Sequence, residues 1–240
     1  MIHCFGDSLT EGYGVLPGQG WVALANQGLK GISLYNHGVC GSLCGDILDS
    51  MSAASGRARK DEGFFFMGGT NDILFGIRLA VLENRVEKEL GRLSERIPLT
   101  LGIPPLFTEM SVETGWQEAG SFKRNKRDLL DYQKFLRALA KDLGIRVMDF
   151  TKALPPEEKW YTDGIHPNKE GYEKMALLAV KVWGGGNGKY RHFNRRRSNK
   201  SLSFSRLTNR QAAFCREISR RPFTGSMNLW NHTGLHHRSK

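Results

Sequence analysis

Apolar residues over the first 183 positions follow two rhythms. Short unbroken runs at residues 2–5, 64–67 and 99–103 have the length and composition of buried strands. Longer stretches repeat at three and four: Leu129, Tyr132, Leu136, Leu139 and Leu143 share one helical face, closed by Gly144. Tyr172, Met175, Ala176, Ala179 and Val182 form the inner face of a last helix over residues 169–183. Residues 21–29, 47–54 and 77–96 read as three more helices, and residues 32–35 and 145–150 complete a set of five strands. Pro104-Pro105 stops the fourth strand, and residues 106–120 form a long connection carrying Phe107, Met110 and Trp116.

Strands that alternate with helices are parallel neighbours, because a parallel pair needs a crossover. The pattern therefore predicts a three-layer α/β/α sandwich around a roughly five-stranded parallel sheet. Ligands of such sheets bind beyond the carboxyl ends of the strands. That rule singles out residues 6–12, 36–45 and 68–72, and the stretch after the fifth strand.

The periodicity stops at Trp183. Gly184-Gly185-Gly186-Asn187-Gly188 reads as a flexible linker, and the spacing of a phosphate-binding loop is absent. Two units follow: residues 1–183 as one domain, and residues 184–240 as a basic tail without a core of its own. The chain carries a formal +11, which suggests nucleic acid or an anionic surface as a partner. The charge is not spread evenly. Residues 1–183 hold 22 Lys and Arg against 23 Asp and Glu, whereas residues 184–240 hold 13 against the single acid Glu217. Contact with nucleic acid or an anionic surface is thus expected of the tail alone, as a disordered basic arm or a small accessory module. The abrupt shift in composition favours a third reading, a non-native extension.

Hydrophobic residues make up 40% of the 240, enough for a core. No apolar run reaches the ~18–20 residues that span a bilayer, and Met1-Ile2-His3-Cys4-Phe5 does not resemble a signal peptide. A cytoplasmic protein with four reduced cysteines is the expectation. Cys40 and Cys44 lack further ligands for a closed zinc site, so neither metal nor organic cofactor is expected.

Gly6-Asp7-Ser8-Leu9 stands where the first strand ends. A serine there can present its hydroxyl at the rim of the sheet, but it needs a base and an orienting carboxylate. Alone, the string is equally a strand-to-turn junction. Asp163-Gly164-Ile165-His166-Pro167-Asn168 supplies the missing groups: the acid and the imidazole are three apart on a turn, so one ring nitrogen can be held while the other accepts a proton. Gly68-Gly69-Thr70-Asn71-Asp72 offers the Asn71 amide to a developing oxyanion, with Asp72 capping the next helix. Asn36-His37-Gly38-Val39-Cys40-Gly41 offers glycine backbone N–H groups. His3 alternates into the first strand and reads as packed.

These four blocks, in this order, resemble the SGNH hydrolases, the GDSL esterase/lipase family, over about residues 2–183. The outline is similar to the small single-domain bacterial members of the thioesterase I and arylesterase type. The resemblance implies a flavodoxin-like fold, with Ser8 as nucleophile, His166 as general base and then acid, and Asp163 as its orienter. It also implies an oxyanion hole from the N–H groups of Ser8 and Gly41 and the side chain of Asn71. The expected function is a serine hydrolase that cleaves small-molecule carboxylic esters through an acyl-enzyme. An acyl-thioesterase, a lysophospholipase or a carbohydrate acetylesterase would use the same triad. A basic nucleic-acid-binding protein on an inactive hydrolase-like scaffold is the alternative from another class. In the esterase reading, residues 106–120 either wall the acyl group or cover the domain edge.

Overall fold

The computed structural model describes residues 1–185. Five strands, β1 (Ile2–Gly6), β2 (Leu34–Gly38), β3 (Gly63–Met67), β4 (Leu99–Ile103) and β5 (Arg146–Asp149), pair in parallel in the order β2-β1-β3-β4-β5. Every residue of β3 and β4 is buried. Helices cover both sheet faces, so these strands read as continuous apolar runs rather than alternating ones.

Eight α-helices lie among the described residues: α1 (Ser8–Glu11), α2 (Trp21–Gly28), α3 (Cys44–Ser55), α4 (Thr70–Leu74), α5 (Leu79–Ser94), α6 (Met110–Glu113), α7 (Ala119–Asp142) and α8 (Lys169–Gly184). One face of the sheet packs against α3, α5 and α7 through Ile47, Met51, Val86, Leu90, Tyr132 and Leu136. The opposite face packs against α2 and α8 through Trp21, Ala25, Tyr172, Met175 and Ala179. This is the three-layer sandwich that the alternation predicts.

The departures are local. The second strand was expected at residues 32–35 and lies at Leu34–Gly38. It is an edge strand with only Leu34 buried, so its polar half carries no burial pattern to read. Helix α7 starts at Ala119, ten residues ahead of the apolar repeat, because its first turns are rich in charge. Helices α1, α4 and α6 are too short to show a period. Asp72 does not cap α4. Gly69 takes that position in the left-handed region, with φ 107°, and the Asp72 carboxylate accepts the Cys44 N–H at 2.9 Å, at the start of α3. The last helix begins after Asn168, whose side chain accepts the Gly171 N–H, at the residue the apolar pattern predicts. No helix of the described residues is long and apolar enough to cross a membrane. The contacts expected of the basic tail fall on residues beyond Gly185, outside the described residues.

Strand β1 pairs with β2 on one side and β3 on the other, so the chain reverses its direction of travel across the sheet at this strand. The carboxyl ends of β1 and β3 therefore flank the crevice where such sheets bind ligands. Trp21 ties this crevice to the core. It is fully buried against Phe65 and Phe150, and its indole N–H donates to the Leu9 carbonyl of α1 at 3.0 Å. Trp21→Ala removes that donor and opens a cavity, so it should cost about 3–5 kcal/mol of stability in urea denaturation.

Candidate active site

Ser8 opens α1, directly after β1. As the first residue of a helix its N–H has no intrahelical acceptor and points away from the turn. Close approach of the backbone makes this placement possible. A Cβ at Gly6 would stand 2.7 Å from the Met67 carbonyl oxygen of β3 and press on Thr10. Gly12 ends α1 with φ 96°, and a Cβ on it would stand 2.9 Å from the Gly20 Cα, so the absence of side chains lets α2 come against the Ser8 turn. Asn36 holds the other side. Its amide donates to the carbonyls of Thr10 at 2.9 Å and Glu11 at 3.1 Å, two of the acceptors that a helix end leaves without partners.

Asp163 and His166 reach Ser8 from the loop before α8. The Asp163 Oδ2 lies 2.7 Å from His166 Nδ1, and His166 Nε2 lies 2.9 Å from Ser8 Oγ. Ser8 and His166 are buried, and Asp163 is partly so. The second carboxylate oxygen of Asp163 accepts the backbone N–H groups of Ile165 and His166, at 3.0 and 2.7 Å. Burial pushes the Asp163 carboxyl up, but the His166 imidazole and these two N–H groups outweigh it and hold the carboxyl below its ordinary value. The acid is thus an anion aimed at one ring nitrogen, which fixes the tautomer and leaves Nε2 to accept a proton from Ser8.

The turn itself is braced by the connection after β4. Gly164 has φ 85°, and a Cβ there would run into the backbone of Met110 and Ser111. The Thr108 N–H donates to the Gly164 carbonyl at 2.8 Å, and Thr114 Oγ1 donates to the Asp163 carbonyl at 2.7 Å. Residues 106–120 are therefore a support for the acid–imidazole turn. Phe107 belongs to the core, while Trp116 packs edge-on against the His166 ring with centroids 4.8 Å apart. Tyr13 approaches the same imidazole at 4.5 Å. Sequence reasoning named Trp116 without this contact and did not name Tyr13. Nothing local signals either, because both meet the ring across the fold.

Gly41 and Asn71 sit beyond the ends of β2 and β3. Gly41 is in the left-handed region with φ 78°, and its N–H makes no hydrogen bond to a described residue. The Asn71 amide donates to the Ser42 carbonyl at 3.0 Å, which ties the two loops together and leaves its second amide hydrogen available. His3 is apart from these groups. It packs against the Tyr35 and Phe64 rings and lies 2.9 Å from His37 on the neighbouring strand, partly exposed. An open groove of about 670 Å³ adjoins Asp163, with Tyr13, Val15, Leu16, Thr162 and Lys169 on its walls.

Comparison with known proteins gives the family and the fold. The profile of the GDSL-like Lipase/Acylhydrolase family matches residues 4–174. No curated protein sequence matches the chain. Among solved structures, a member of the lipolytic protein G-D-S-L family from Veillonella parvula superimposes with a TM-score of 0.67 at 25% identity, covering 76% of this chain and 97% of the other. The lipase/acylhydrolase from Enterococcus faecalis gives a TM-score of 0.61 at 24% identity, covering 77% and 95%. The aryl esterase of M. smegmatis gives 0.62 at 17% identity, covering 76% and 98%, a likeness of fold. With its profile match over most of the described residues, the chain belongs to the GDSL-like lipase/acylhydrolase family and is a carboxylic ester hydrolase.

Proposed function

We propose that this hydrolase cleaves small-molecule carboxylic esters through an acyl-enzyme formed on Ser8. The observation that carries the reading is the unbroken hydrogen-bonded chain from Ser8 Oγ to His166 Nε2 and from His166 Nδ1 to Asp163 Oδ2. Ser8 Oγ attacks the ester carbonyl as His166 takes its proton, and Asp163 steadies the imidazolium that forms. Negative charge then gathers on the former carbonyl oxygen. The Ser8 and Gly41 N–H groups and the Asn71 amide supply three donors for it, two of them rigid backbone. His166 next protonates the departing alcohol. Water, activated by the same imidazole, attacks the acyl-enzyme and returns Ser8 to its starting state.

The surroundings of the imidazole suit this cycle. Tyr13 and Trp116 limit its ring rotation, and their apolar surfaces keep bulk water from solvating the charged form. The groove beyond Tyr13 is open to solvent, so one side of a bound ester can extend outward past Val15 and Leu16.

Three variants test the assignments by hydrolysis of p-nitrophenyl esters from acetyl to dodecanoyl. Ser8→Ala should reduce turnover to background, and unchanged turnover would end the mechanism. Asn71→Ala should lower kcat by about 10²–10³ with a smaller change in KM, since the oxyanion exists only beyond the ground state. Asp163→Asn should lower kcat by about 10⁴, because an amide facing Nδ1 no longer selects the productive tautomer.

A further inference from the structure

A second carboxyl group stands behind the nucleophile, and the reaction as described does not use it. Asp7 directly precedes Ser8 and is 1% exposed. Its Oδ1 accepts the Leu9 N–H at 3.0 Å and caps α1, while its Oδ2 is buried without a hydrogen-bond partner. The groups that face it are an acid or neutral hydroxyl and thiol groups: Asp72 of α4, Cys44 of α3, Tyr132 of α7 and Tyr172 of α8. No basic side chain among the described residues forms an ion pair or hydrogen bond with Asp7. A carboxylate here would be a buried charge served by backbone N–H groups alone, beside a second buried carboxylate.

Resting on the esterase reading above, we propose that Asp7 is a positioning residue that the reaction requires as the neutral acid. In that form it caps α1 and sets the Ser8 N–H without placing negative charge behind the oxyanion. Its ionisation therefore limits turnover on the alkaline side.

Two physical effects agree in sign. Burial raises the Asp7 carboxyl first, the Leu9 N–H opposes this, and the charge of Asp72 raises it further, to about 7. Once ionised, Asp7 would repel the oxyanion gathering on the other side of the Ser8 peptide, through a medium that screens far less than water. Turnover falls on the alkaline side as Asp7 loses its proton. Folding feels the same proton. The folded form holds it more tightly than the unfolded chain, in which Asp ionises near ~3.9. The contribution of Asp7 to stability is therefore full below about pH 4 and is lost as pH rises towards 7.

The test uses the full chain. Hydrolysis of phenyl acetate by wild type beside Ser8→Ala first separates the two readings: no serine dependence would overturn the esterase mechanism and, with it, the catalytic part of this proposal. With serine-dependent turnover in hand, kcat is followed from pH 6 to pH 9 in wild type and Asp7→Asn. Asparagine keeps the acceptor for Leu9 N–H, so a role confined to capping leaves the shape of the profile unmoved. The expected result is a fall of about tenfold or more towards alkaline pH in wild type that is absent from the Asp7→Asn profile. Profiles of the same shape would overturn the proposal. A third measurement does not depend on the variant folding: carboxyl ¹³C NMR of Asp-labelled wild type should show one aspartate that stays protonated to near pH 7. Ionisation of every aspartate below about pH 5 would overturn the proposal whatever the kinetics.

Discussion

Parallel strands deliver every following turn to the same edge of the sheet, and the site depends on this directionality. A strand that runs in parallel ends where its neighbours end, so the loops after β1, β2 and β3 meet without having been neighbours in the chain. The reversal of strand order at β1 keeps the rim between β1 and β3 open. Ser8 is placed there by its distance from Gly6, the last residue of the strand. Asp163 and His166 then arrive from the loop before α8, and a hydrogen bond closes a sequence separation of 158 residues.

Glycine lets these backbones come close enough to matter. At Gly6 and Gly164 a single added carbon would strike neighbouring backbone, in β3 in one case and at the start of α6 in the other. Gly164 also needs a left-handed conformation, which side chains rarely tolerate. Asn36 shows the complementary device: its amide reaches across from β2 and ends α1 by satisfying two carbonyls. Ser8 is thus held by its neighbours on three sides before any substrate is present, which is the preorganisation that the proposed acyl transfer needs.

The three aspartates of the motif blocks have different electrostatic fates, although each is partly or wholly buried. Asp163 meets an imidazole and two N–H groups, and its carboxyl is held low. Asp72 meets the Cys44 N–H, yet burial still raises it. Asp7 meets the Leu9 N–H and an acidic neighbour, and is raised to about 7. The number and charge of the partners decides the direction, because burial penalises every carboxylate alike.

Periodicity was sufficient for the architecture, and motif order named the five residues proposed for the site. The buried strands are apolar throughout, the long helices carry a clear stripe, and Ser8, Gly41, Asn71, Asp163 and His166 follow strands or precede a helix as the blocks require. Edges and ends were harder to read. The second strand was displaced by two residues because an exposed edge selects no apolar pattern, and the first turns of α7 were hidden by their charge. Other features belong to the tertiary structure alone: the Asp72 bond to α3, the aromatic contacts of Tyr13 and Trp116 with His166, and the isolation of the Asp7 carboxyl. Each depends on what a side chain meets from a distant segment. A linear pattern records which face a residue turns towards the core, but only packing decides which partner waits there.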